Sequence, residues 1–104
     1  MSNMKKADLK CPKEGLKILG DYWTLEIIQD LSAGEKRFNQ LQRDVTGINP
    51  TTLANRLKKL ESDQIIKRKE ETVDKLSVVY TLTTKGEAIL PILKQIKVFA
   101  EKHL

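Results

Sequence analysis

Thr51, Thr52, Asn55 and Lys59 lie at spacings of one, three and four, which on a helix gathers them on one side. Each type can address the edge of a base pair. Asn can bond adenine through both amide atoms, Thr offers a hydroxyl and a methyl that meets thymine, and Lys reaches guanine or a phosphate. The plain alternative is a solvated helix face, and these four residues alone do not decide between the two. Around them Lys36, Arg37, Arg43, Arg56, Lys58, Lys67, Arg68, Lys69 and Lys75 are cations that could neutralise phosphates, although each taken alone is more often an ordinary surface charge. Arg56 lies nearer the packed side of its helix, where pairing with Glu61 or Asp44 is the other option.

Other chemistries lack their parts. The one histidine, His103, is the penultimate residue and has no acid or thiol placed to make a nucleophile–base pair. There is no glycine-rich phosphate loop and no metal-ligand spacing, so neither an enzyme nor a bound cofactor or metal is expected. Cys11 is the only cysteine. It precedes Pro12 at the expected start of a helix, with Lys10 and Lys13 close by, and both features favour its thiolate. It is therefore a candidate redox or electrophile sensor, the alternative being a small apolar plug at an interface. Without a second cysteine it could respond only through an intersubunit disulfide or an adduct.

The elements that must position these residues can be read from periodicity and caps. Pro12 is expected to open a first helix carrying Leu16, Ile18 and Leu19, with Gly20 as its stop. Asp21 caps a second helix in which Trp23, Ile27, Ile28 and Leu31 form a core-facing stripe ending at Ser32-Ala33-Gly34. Lys36-Arg37 leads into a short helix with Phe38, Leu41 and Val45 on one face. Thr46-Gly47 breaks it, Ile48 buries the turn, and Asn49-Pro50 starts a helix to about Asp63 whose Leu53, Leu57 and Leu60 oppose Thr51, Asn55, Lys58 and Ser62. Ile65 to Glu71 and Leu76 to Leu82 read as two strands around a polar tip, Thr72 to Lys75. A last helix, about 84–104 and capped by Thr83 or Thr84, carries Ile89, Ile92, Leu93, Ile96, Phe99 and Ala100, more apolar surface than one small core absorbs.

The order is that of a winged helix-turn-helix, mainly α with a small β-hairpin, in which the second helix of the motif enters a major groove and the wing reaches the flanking backbone. The chain is read as one domain over 1–104. Lys and Arg outnumber Asp and Glu by 19 to 14, a formal +5 that suits a polyanionic partner. With no apolar run long enough to span a membrane and no signal peptide in the polar opening, a cytoplasmic protein without a membrane partner is expected. At 104 residues a partner subunit would help stability.

In several separate elements the chain resembles the HxlR-type transcription regulators, relatives of the MarR group. The residues that carry this are Cys11-Pro12, Gly20, Trp23, Lys36-Arg37-Phe38, Leu41, Gly47-Ile48, Leu53, Arg56-Leu57, Leu60-Glu61, Tyr80-Thr81-Leu82-Thr83 and Gly86, over about residues 11–95. Asp21-Tyr22 stands where that family usually has Gly-Lys, and Lys75 to Val79 replaces its usual wing sequence. The resemblance implies a dimer formed by the first and last helices, with Leu16, Leu19, Ile92, Ile96 and Phe99 as interface residues. It also extends to Cys11 the sensing role that several members give the matching cysteine. The expectation is a homodimeric repressor on a pseudo-palindromic operator in double-stranded DNA. The rival is a winged-helix module that binds another protein and reads no sequence, and no residue pattern names an inducer.

Overall fold

Six of the eleven residues that make up the central core cluster come from two helices, and the chain is built around them. A computed structural model describes the backbone of residues 6–70 and 78–104, with side chains from residue 13 onward. In chain order the elements are α1 (Lys6–Leu19), α2 (Tyr22–Leu31), β1 (Lys36–Arg37), α3 (Phe38–Asp44), α4 (Pro50–Ser62), β2 (Ile66–Glu70), β3 (Val78–Leu82), α5 (Thr84–Glu87) and α6 (Leu90–His103). The strands form one antiparallel sheet in the order β1-β3-β2, and this is the winged helix-turn-helix architecture expected.

Helix α2 is the central strut. Its cap is Asp21, whose carboxylate accepts the Thr24 N–H at 2.9 Å, and Ile27, Ile28 and Leu31 are essentially inaccessible. Against them pack Leu41, Val45, Ile48, Leu53, Leu57, Leu60, Ile65 and Ile66, with Trp23 half-buried at the margin. Each fully buried aliphatic side chain stabilises the fold by about 1.5–3 kcal/mol.

Three expectations need correction. The first helix begins at Lys6, so Pro12 lies inside it. A proline there has no N–H for the carbonyl four residues earlier, and the start signal it resembles is overridden. Cys11 is therefore not at the positive end of that helix; its side chain lies outside the described residues. Lys36-Arg37 is a strand, paired Lys36↔Tyr80 and Arg37↔Val79; two residues are too few for any periodicity to announce. The last helix is two helices. Thr83 caps α5, accepting the Gly86 N–H at 3.0 Å, and the chain restarts at Leu90 with proline in the first turn of α6. Pro91 cannot donate to the carbonyl of Glu87, so one continuous helix would lose a bond there.

Strand β2 pairs with β3 from Ile66↔Leu82 to Glu70↔Val78. The expected wing tip, Thr72 to Lys75, lies outside the described residues, as do Glu71, Leu76 and Ser77. No residue of α6 is buried. The radius of gyration, 15.5 Å, exceeds the roughly 13 Å of a compact domain of this length. Among the described residues no helix is long and apolar enough to cross a membrane.

Candidate nucleic-acid interface

The turn into α4 is set locally. Gly47 takes φ +89°, a left-handed conformation that glycine adopts without strain, and Ile48 is driven into the core beneath it. Asn49 then accepts the Thr52 N–H at 2.8 Å, and Pro50 occupies the first turn. Leu53, Leu57 and Leu60 are buried, which forces the opposite side outward. Thr51, Asn55, Lys58 and Lys59 are exposed and Thr52 is half-buried. The exposed face therefore holds three of the four candidate base-contacting residues. The Lys59 ammonium lies 3.2 Å from Asp63 one turn on, an exposed pair of the kind worth only about 0.2–1 kcal/mol.

The cations, alike in the sequence, separate into groups in space. Arg37, Arg43 and Arg68 line one groove of about 400 Å³ beside Asn39, Gln40 and Tyr80, and Arg68 also lies 3.5 Å from Glu70 in an exposed pair. Arg68 and Tyr80 are cross-strand partners. Lys67 and Lys69, one residue to either side of Arg68, point to the opposite face of the strand; both are exposed. Lys75 lies outside the described residues. Sequence reasoning missed Asn39, Gln40 and Tyr80 as groove residues, because no motif links a short helix to the third strand.

Lys36 and Arg56 are held by carboxylates. The Lys36 ammonium donates to Asp44 at 2.8 Å and lies 3.5 Å from Asp30, so strand β1 is tied to both α2 and α3. Burial, then the neighbouring Asp44 carboxylate, pushes the Asp30 carboxyl up, while the hydrogen bond from Lys36 holds Asp44 below the usual range. The partner of Arg56 is neither Glu61 nor Asp44 but Asp21. Its Nε donates to Oδ2 at 2.7 Å and its Nη2 to Oδ1 at 3.1 Å. Those residues are 35 positions apart, beyond the reach of any helical spacing argument. The Arg56 hydrogen bond, with help from Thr24 and against burial, lowers the Asp21 carboxyl to about 2.

The expected interface residues are largely open. Leu16 is 71% exposed, Ile92 44%, Ile96 47% and Phe99 57%, and Leu19 is half-buried. Among the described residues no group of three His, Cys, Asp or Glu could hold a metal ion.

Comparison with known proteins gives this geometry a context. The transcriptional regulator YodB of Bacillus subtilis is 34% identical over 94 residues, covering 88% of this chain and 84% of YodB. The reduced form of YodB superposes with a TM-score of 0.81 at 30% identity, covering 96% of this chain and 94% of that one. Its quinone-bound form gives 0.79 at 31% identity, covering 89% and 98%. A MarR-family protein from Porphyromonas gingivalis W83, described as a putative transcriptional regulator, gives 0.83 at 34% identity, covering 96% and 99%. The HxlR-like helix-turn-helix model matches residues 18–104, a span containing α2 to α6 and both faces described above, and the chain belongs to that family.

Proposed function

We propose that this chain is a cytoplasmic, sequence-specific transcriptional repressor that binds a pseudo-palindromic operator in double-stranded DNA as a homodimer. Membership of a helix-turn-helix family carries the DNA-binding part. The observation that carries the rest is the exposed polar face of α4 together with an arginine-lined groove between α3 and the wing. Thr51, Thr52, Asn55 and Lys59 read bases; Arg37, Arg43 and Arg68 meet the phosphate backbone, with Lys58, Lys67 and Lys69 as outlying cations. Exposed Leu16, Ile92, Ile96 and Phe99 offer an apolar seam to a second copy, whose two-fold symmetry the operator would mirror.

The test is selection of binding duplexes from a random pool, followed by salt titration. Two half-sites with dyad symmetry, and affinity falling steeply with salt, are expected. Asn55→Ala should cost about 1–3 kcal/mol on the best duplex and little on random DNA. Recovery of no preferred sequence, with weak salt dependence, would instead favour a protein-binding module.

We read the signal as oxidative or electrophilic, sensed at Cys11. Likeness to YodB, whose solved forms include reduced, diamide-treated and quinone-bound states, supports it, and so do the flanking lysines. Operator affinity before and after quinone treatment, for the parent and for Cys11→Ser, tests this. Loss confined to the parent is expected; equal behaviour of the two would assign the response elsewhere.

A further inference from the structure

The apolar side of α4 fixes which face points outward, but not its roll to within the few degrees that base reading needs. Leu53, Leu57 and Leu60 are buried, and burial favours area removed from water without regard to direction. Roll matters at a base-reading surface. At the outer radius of a helix, about 5–6 Å, a roll of about 20° moves a side-chain tip by about 2 Å, more than a hydrogen bond tolerates.

On one flank α1 gives α4 little support. A cleft of about 440 Å³ lies between them, with Glu14, Lys17 and Ile18 on one wall and Asn55 and Lys59 on the other. The same cleft is bordered by Asp21 and Arg56, which reach across it. Asp21 is itself fixed, since its Oδ2 accepts the Thr24 N–H at 2.9 Å and the Thr24 hydroxyl at 2.7 Å. Onto this anchored carboxylate Arg56 brings a planar two-pronged fork, which constrains rotation as well as distance. Arg56 is adjacent to Asn55 and one turn before Lys59, so whatever fixes its direction fixes theirs.

We propose that Asp21 and Arg56 are a positioning pair that sets the roll of α4, so that discrimination between DNA sequences depends on an ion pair that touches no base. The inference rests on the reading of α4 as the base-reading helix. Arg56 then serves orientation, not phosphate binding. Asp21 joins the end of α1, the cap of α2 and the middle of α4 at one carboxylate.

The test uses Asp21→Ser, which can still cap α2 but cannot reach Arg56, and Arg56→Lys, which keeps a charge for phosphate but loses the fork. For the parent, both single variants and the double variant, affinity is measured on the best selected duplex and on random duplex across salt concentrations, with a thermal melt of each protein. Each single variant should reduce the ratio of the two affinities by about tenfold, the scale of one lost base contact, with the salt slope unchanged. The double variant should lose no more than either single one, because all three remove the same constraint. An unchanged ratio in folded variants overturns the proposal. A uniform loss on both duplexes for Asp21→Ser also does so, by making the pair merely structural. A uniform loss for Arg56→Lys with a shallower salt slope assigns Arg56 to phosphate and overturns it as well. Should Asp21→Ser lack a cooperative melt, Asp21→Asn, which retains the cap but offers one acceptor oxygen where the Arg56 fork needs two, replaces it with the same criteria. A parent that prefers no duplex defeats the reading of α4 itself, an outcome distinct from the others and fatal to both.

Discussion

The α-carbon of Gly86 lies directly against the carbonyl oxygen of Ile65, so closely that a β-carbon built there would overlap that oxygen. This contact locks the start of α5 onto the chain leaving α4. It is reinforced by the Thr83 N–H, which donates to the same carbonyl at 3.0 Å, and by the Thr83 hydroxyl, which donates to the Gln64 carbonyl at 2.6 Å. A methyl group at Gly86 has backbone on one side and the Leu82 side chain on another. Gly86→Ala should therefore destabilise the protein by about 1–3 kcal/mol, the usual cost of overpacking, visible as a lower denaturation midpoint. A midpoint equal to that of the parent would mean that the two segments separate easily.

Helix α4 ends with a left-handed residue that is not glycine. Gln64 has φ +63°, its N–H donates to Glu61 at 3.0 Å, and the Ile65 N–H donates to Leu60 at 2.9 Å. These two bonds, with Leu60 and Ile65 both buried, make the Schellman termination usually built around glycine. Gln64→Gly should relieve the left-handed strain, a gain partly offset by the greater freedom of glycine in the unfolded chain. A net stabilisation of about 0.5–1 kcal/mol in urea unfolding is expected, and a destabilised variant would show that the Gln64 side chain holds the turn.

Asp21 gives stability an acid limit. Its carboxyl is lowered from an ordinary 3.8 to about 2, first by the hydrogen bond from Arg56 and then by Thr24, against burial. A depressed folded-state value means that the unfolded chain takes up the proton first. The contribution is therefore full above about pH 4 and disappears as pH falls toward about 2. The difference in stability between the parent and Asp21→Ser should shrink across that window when followed by urea unfolding. A difference that stayed constant would exclude the ionised carboxylate as its source.

The exposed seam on α6 should behave as an interface. Ile96→Asp, or Asp at Phe99, places a charge where Ile96 is 47% and Phe99 57% exposed in a single chain. If these positions are covered by a second copy, the variant should become monomeric or aggregate and lose tight operator binding, because a single half-site is held too weakly. Light scattering reports the mass, and a folded dimer with normal affinity would put the interface on other residues.

Local signals were legible in the sequence wherever one turn of chain is sufficient to produce them. The cap at Asp21, the Asn49-Pro50 start, the break at Gly47 and the Leu53, Leu57, Leu60 stripe are each decided by residues no more than four positions from the next. They determine that α4 exists and which side of it faces outward. Pro12 shows the limit of such signals, since a start signal inside a longer helix yields to it. The two-residue strand β1 exists only because β3 offers it partners, and Gln64 ends α4 in a left-handed conformation that its residue type does not announce. Likewise, the meeting of Arg56 with Asp21, the separation of Arg68 from Lys67 and Lys69, and the gathering of Arg37, Arg43 and Arg68 around one groove depend on how helices and strands are placed in space. Charge and hydrogen-bonding capacity belong to the residue, but direction and distance arise only when distant segments pack, and it is these that turn surface cations into either a clamp or a groove.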